Sequence, residues 1–62
     1  MFVLSMEQKT RRMYLKEIIG GLIPSITEHE HQAQVFFNKE EAEKLIATKA
    51  HILEGFEIRE KE

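Results

Sequence analysis

The chain contains no cysteine, one proline and three glycines among its 62 residues. Without cysteine, neither disulfide bonds nor a thiolate zinc site can stabilise it, so its stability must come from core packing or self-association. No apolar run in the sequence approaches the roughly 20 residues that a membrane-spanning helix needs. The first residues lack a cationic region before a long apolar segment, so we expect no secretory signal and a cytoplasmic location.

The composition, with 42% hydrophobic and 32% charged residues, is typical of a folded globular domain. A chain this short forms one small domain, which buries only about 60% of the surface that its unfolded form exposes. Residues 1–20 carry four Lys or Arg against two Glu, whereas residues 21–62 carry five against nine. The acidic second half disfavours a general nucleic-acid binder, which needs a basic stripe to displace counterions from phosphates.

The stretch "HQAQVFFNKEEAEKL" changes its hydrophobic period from alternation to helical spacing. Residues 32–37 alternate, with Ala33, Val35 and Phe37 on one face, and this pattern predicts a strand. Asn38 follows as a predicted N-cap, because a helix often begins with Asn and carries a glutamate three residues later. The sequence therefore predicts a strand that leads directly into a helix.

Apolar residues then recur at helical spacing and predict a helix over 39–54, with Gly55 as the residue that ends it. After the glycine, "FEIRE" alternates again and predicts a C-terminal strand over 56–60. If this strand and the 32–37 strand share a sheet that the helix covers, we expect them to be parallel and joined by a right-handed crossover.

The first half allows two interpretations. "MFVLSM" and "RRMYLKEI" can form an N-terminal hairpin around the turn "EQKT", although that turn lacks Gly or Asn. The alternative is a helix over residues 5–19 that ends at Gly20 and Gly21. With either interpretation these glycines and Pro24 indicate a loop, and "SITEHEHQ" continues the loop or makes one helical turn.

The preferred interpretation is a small α+β domain that spans residues 1–62. In it, a β-sheet forms one layer and the 39–54 helix forms the other. The edges of such a sheet leave backbone hydrogen-bonding groups and apolar surface unpaired, for which a symmetric partner is the usual remedy. We therefore also expect a homodimer.

The segment "EHEH", residues 28–31, is the strongest candidate for a metal site in the sequence. His29 and His31 lie two residues apart, so in an extended segment both imidazoles point to one side, as metal ligands from a strand do. Zinc needs three or four protein ligands, and only His51, Glu28 and Glu30 are available to complete the set. We expect an exposed polar loop here instead, with no metal and no cofactor.

No nucleophile or phosphate-loop pattern is present, and a chain this short leaves little room for a concave catalytic pocket. We therefore expect a protein that is not an enzyme. A basic cluster of Lys9, Arg11, Arg12 and Lys16, beside Tyr14 as a base-stacking residue, offers an alternative role as a small nucleic-acid-binding accessory protein.

The order of motifs resembles small uncharacterised proteins of bacteriophages and prophages of Gram-positive hosts. In those proteins a hairpin ends in a Tyr-Leu pair, here Tyr14 and Leu15, and is followed by an Ala-x-x-Phe segment, here Ala33 to Phe36. A capped Glu-Glu-Ala-Glu helix, here Glu40 to Glu43, and a terminal strand complete the series. The connection "GGLIPSITEHEH" departs from that pattern. The resemblance implies an origin in a compact mobile genome, whose short proteins often bind and redirect one host protein.

Taken with this resemblance, the sequence predicts a non-enzymatic protein that binds and modulates a host protein, as an inhibitor, in the host cytoplasm. Nucleic acid and membrane are not expected partners. The predicted partner-binding residues are the outward-facing acidic side chains Glu40, Glu43, Glu54 and Glu57, with Glu60 and Glu62 beyond them. Charge of one sign steers encounter and an apolar anchor supplies most of the affinity, so the expected target has a basic groove.

Overall fold

Four strands and one α-helix make up the fold in the computed structural model, which describes residues 1–61. The strands are β1 (Phe2–Gln8), β2 (Arg11–Ile19), β3 (Ile23–Thr27) and β4 (Glu57–Glu60), and the helix is α1 (Lys39–Thr48), preceded by a 3-10 turn at Glu30–Gln32. The strand order is β3-β2-β1-β4, and each neighbouring pair is antiparallel. Because α1 packs on one face of this sheet, the predicted α+β class is confirmed.

The N-terminal hairpin is confirmed, and the alternative helix over 5–19 is wrong. In the hairpin Ser5 pairs with Tyr14 and Gln8 pairs with Arg11. The chain reverses at Lys9 with a φ of 58°, a left-handed conformation that few residues with a side chain adopt. The turn has no glycine to adopt this conformation, so Lys9 adopts it at some cost in backbone strain.

A β-bulge in β2 explains why its apolar residues do not alternate. Leu15 pairs with Ile26 and Glu17 pairs with Ser25, so Lys16 is an extra residue without a partner of its own on β3. A bulge shifts the side-chain phase of the strand by one residue. As a result Leu15 and Ile18, three residues apart, both pack against the core beneath α1.

Part of the connection that was predicted as a loop forms the edge strand β3. Ile23–Thr27 pairs with β2, and its Pro24 is compatible with an edge strand, where one side of the backbone has no partner to bond. Farther along, "SITEHEHQ" does make one helical turn, at Glu30–Gln32. Pairing with a neighbouring strand here outweighs the local loop signals of glycine and proline.

The predicted strand over 32–37 is wrong. Only Phe36 of this segment pairs with the sheet, through an isolated bridge to Phe2. The β1–β2 ladder begins at Ser5 and Tyr14, so the two strands diverge beyond it. Phe36 lies in the space between the diverging strands, here called the fork. It exchanges two backbone hydrogen bonds with Phe2, of 2.9 and 2.8 Å. On the other side, the Gln34 N–H donates to the Leu15 carbonyl at 2.9 Å.

Through this fork the chain crosses from one face of the sheet to the other. Ala33 packs with Val3 and Tyr14 on the face away from α1. Phe36, three residues later, packs with Leu4 on the α1 face. The predicted common face of Ala33, Val35 and Phe37 is therefore wrong, since Val35 and Phe37 are exposed.

The expected parallel crossover is also wrong. β4 is confirmed within one residue of its predicted start, but it pairs antiparallel with β1, Leu4 opposite Ile58. Since residues 32–37 form a single bridge instead of a strand, no parallel pair of strands surrounds α1 in the part of the chain that the structure describes. The helix instead connects the fork to the outer edge of the sheet.

α1 begins as predicted but ends six residues early, at Thr48 instead of Glu54. The Thr48 hydroxyl donates to the Lys44 carbonyl at 2.8 Å, a side-chain bond that bends helices. Lys49 then leaves helical geometry, and a second single turn follows in which the Leu53 N–H donates to the Lys49 carbonyl at 2.9 Å. Gly55, with a φ of 91°, ends this turn instead of α1.

The N-cap of α1 is confirmed, and its removal is a first test of the fold. The Asn38 side-chain oxygen accepts a hydrogen bond from the Glu41 N–H at 2.9 Å. Asn38→Ala is expected to lower the free energy of unfolding by about 1 kcal/mol, because that N–H loses its partner within the chain. Urea denaturation would measure this, with Asn38→Asp, which keeps a capping oxygen, as the matched control. Equal stability of the alanine variant and the wild type would contradict the cap.

Candidate functional site

The predicted partner-binding glutamates are all exposed, but they do not form one surface. Glu40 and Glu43 lie on α1, and Glu54 lies in the turn after it. Glu57 pairs with Ser5, and residues that pair across strands share a face, so Glu57 lies on the face away from α1. The acidic side chains are therefore spread over both faces of the sheet, whereas Glu62 lies outside the described residues.

Two of the four side chains of the basic cluster, Arg11 and Arg12, are paired with acid. Arg11 contacts Glu28 at 2.8 Å, and Arg12 contacts Glu7 at 2.9 Å, a hydrogen bond that raises the pKa of the Arg12 guanidinium. Tyr14, the proposed base-stacking residue, is buried against Val3 and Ala33. The arrangement therefore lacks the exposed aromatic ring that a stacking platform needs.

His29 and His31 are exposed, and their ring centroids lie 5.5 Å apart at an interplanar angle of 46°. Their segment is tied to β3 by the Thr27 hydroxyl, which accepts from the His29 N–H and donates to the Gln32 side chain, both at 3.1 Å. Within residues 1–61 no group of three or more His, Cys, Asp or Glu side chains is placed to hold a metal ion.

The most apolar exposed surface lies around the turn between β2 and β3. Its members, here called the aliphatic tip, are Ile19, Leu22 and Ile23. Ile26 is also exposed, but it pairs with Leu15 and so lies on the α1 face of the sheet, whereas Ile19 and Ile23 pair with each other on the opposite face. Leu22 is 69% exposed. The nine residues from Ile18 to Ile26 contain no charge in a chain that is 32% charged. Such a concentration of exposed aliphatic side chains is typical of a contact surface.

Hydrogen bonds of its backbone stabilise the turn of the aliphatic tip. Gly20 and Gly21 have φ values of 60° and 72°, which only glycine adopts readily, and the Leu22 N–H donates to the Ile19 carbonyl at 3.1 Å. Across the core, the Lys49 ammonium donates to the Gly21 carbonyl at 3.0 Å. A turn stabilised in this way loses less conformational freedom on binding than a flexible loop.

A second apolar surface is the groove between α1 and the segment that fills the fork. The groove has a volume of about 400 Å³ and is lined by Gln34, Val35, Phe36, Glu41, Lys44, Leu45 and Thr48. Phe37 follows directly after the lining residues 34–36 and is 76% exposed. None of the predicted glutamates Glu40, Glu43, Glu54 and Glu57 lines this groove. Its acidic lining residue is Glu41, which was not predicted as a binding residue.

The aliphatic tip and Phe37 were not among the predicted site residues. The uncharged run "IIGGLIPSI" was the available signal for the first. For Phe37 the sequence carried no comparable signal, because Phe36 and Phe37 are adjacent and either could fill a core position.

No helix within residues 1–61 is long and apolar enough to cross a membrane. Comparison of the chain with protein-family models, with curated proteins and with solved structures found no match.

Proposed function

We propose that this protein is a non-enzymatic binding protein of phage or prophage origin, which docks on one protein of its host and modulates it as an inhibitor in the host cytoplasm. The observation that carries the proposal is the aliphatic tip. A small domain has few large apolar side chains to spare, yet this one exposes three of them, Ile19, Leu22 and Ile23, around a single turn.

The aliphatic tip supplies the anchor of the proposed complex. A few apolar side chains that enter a pocket of the partner provide most of the binding energy of a typical interface. Leu22 and Ile23 are suited to this, because they are exposed beside the tight turn that Gly20 and Gly21 allow. The partner is therefore a protein with an apolar pocket.

The acidic side chains supply steering without needing to touch the partner. Glu40, Glu43, Glu54 and Glu57 are exposed on a molecule of only 27 × 22 × 18 Å. Charges act over about 8 Å at physiological salt, so these side chains favour encounter with a partner that carries basic surface. The alternative, a nucleic-acid-binding accessory protein, is less well supported because Arg11 and Arg12 are paired and Tyr14 is buried.

Capture from the lysate of a Gram-positive host tests the proposal, with the tagged full chain as bait. We expect one host protein to be retained by the wild type and lost, by about tenfold or more, with Leu22→Asp, which places a charge in the anchor. Phe37→Asp is the matched control, since it introduces the same charge at another exposed apolar residue and should retain the partner.

The purified partner must then bind the purified chain, and Glu43→Lys combined with Glu57→Lys should slow association about tenfold at low salt, with a smaller effect at high salt. Full retention of the partner by Leu22→Asp would refute the role of the aliphatic tip. Recovery of nucleic acid alone, or loss of the partner only when Arg11 and Arg12 are replaced by alanine, would favour the nucleic-acid alternative instead.

A further inference from the structure

We infer that two copies of this chain associate through α1, with Phe37 of each copy seated in the α1 groove of the other. This contact is separate from the aliphatic tip and does not depend on the proposed host partner. It assigns an interface to the homodimer that the sheet edges led us to expect, and it places that interface on the helix instead of on a strand.

The chain carries both an exposed aromatic side chain, Phe37, and an open apolar groove beside α1 that can receive one. The groove of about 400 Å³ has an apolar lining of Val35, Phe36 and Leu45 and lies within the size range of pockets that hold small molecules. Phe37 cannot fill the groove of its own chain, because its side chain is 76% exposed. A second copy supplies the same ring to the first groove and receives the first ring in its own.

The charges of the groove are self-complementary, which is what a twofold contact requires. Glu41 and Lys44 both line the groove, three residues apart and thus about 4.5 Å apart along the helix axis. When two copies of α1 run antiparallel, Glu41 of one copy can lie opposite Lys44 of the other, and the twofold axis repeats the pair. The groove lining carries no net charge, so it does not repel its own copy.

The same register brings Phe37 to the correct end of the groove. If Glu41 lies opposite Lys44 of the second copy, equal steps along antiparallel helices bring Phe37 level with Thr48 of that copy. Thr48 lines the groove beside Leu45, one turn away. The charge pairs and the aromatic anchors are therefore satisfied by one arrangement, and the helices need not shift to accommodate both.

Sedimentation of the purified full chain at micromolar concentrations tests the contact. We expect the wild type to sediment as a dimer, with twice the 7.3 kDa mass of the chain, and Phe37→Ala to dissociate about tenfold or more readily. Leu22→Ala, at an equally exposed apolar residue elsewhere, is the control that should stay dimeric. Circular dichroism should show both variants folded, because both side chains are exposed.

Charge reversal tests the register. Glu41→Lys and Lys44→Glu should each weaken the dimer about tenfold, because each places like charges opposite one another twice. The double variant should recover the dimer, and an equimolar mixture of the two single variants should form a heterodimer. A wild-type chain that stays monomeric, a Phe37→Ala variant that stays as dimeric as the wild type, or a double variant that does not recover would overturn the inference.

Discussion

Phe36→Ala is expected to lower the free energy of unfolding by about 3–5 kcal/mol, the range for a large aromatic side chain removed from a core. Phe36 is 6% exposed and packs with Leu4, Leu15 and Leu53 beneath α1. Its backbone also exchanges two hydrogen bonds with Phe2 at the fork of the sheet. The cavity left by alanine would thus open at the point where β1 and β2 diverge, so we expect both the helix layer and the fork to loosen. Urea denaturation followed by circular dichroism would measure the loss.

The neighbouring phenylalanine is the control for this prediction. Phe37→Ala removes the same atoms from a side chain that is 76% exposed, so stability should change by no more than about 0.5 kcal/mol. The measurement should be made on dilute protein, because dimerisation would add to the apparent stability. If Phe37→Ala lowered the free energy of unfolding more than Phe36→Ala, Phe37 would be the buried residue, and the register of the segment in the fork would be wrong by one residue.

Leu53→Ala is expected to cost about 2–5 kcal/mol, although Leu53 lies beyond the end of α1. Its side chain is 1% exposed and packs with Leu4, Leu15, Phe36 and Ala42. The single turn between Lys49 and Leu53 serves to bring this side chain into the core before the chain reverses into β4. Loss of the Leu53 side chain should therefore weaken the attachment of β4 as well as the core. We expect the backbone amides of β4 to exchange hydrogen faster in the variant than in the wild type.

Leu22→Ala is the matched control, with the same atoms removed from a side chain that is 69% exposed. It should leave the unfolding transition within about 0.5 kcal/mol of the wild type. Thermal unfolding of both variants at equal dilution would make the comparison. A silent Leu53→Ala would mean that the turn after α1 does not deliver this residue to the core, and that β4 docks without it.

Where a signal was local, the sequence was sufficient to predict the structure. Asn38 can cap a helix because its oxygen reaches the N–H of Glu41, three residues away, whatever the rest of the chain does. The alternation of β4 reports a half-buried face, and the hairpin of β1 and β2 needs only neighbouring segments to form. The exposure of Glu40, Glu43, Glu54 and Glu57 was also predictable, since isolated carboxylates are costly to bury.

The choices that the sequence left undecided all depend on partners distant in the chain. Phe36 is buried and Phe37 exposed because Phe36 pairs with Phe2 in the fork where the β1–β2 ladder ends. Phe2 lies 34 positions away in the sequence, so no local signal could specify which phenylalanine would be buried. Residues 23–27 become a strand because β2 offers them a free edge, despite Pro24. The aliphatic tip is exposed for a related reason, since Ile23 lies on the edge strand β3 and Ile19 at the end of β2 beside it. Local propensity acts over a few residues, whereas burial depends on which segments the folded sheet brings together. In a domain of 62 residues, the placement of one segment is enough to decide which side chains are buried and which are exposed.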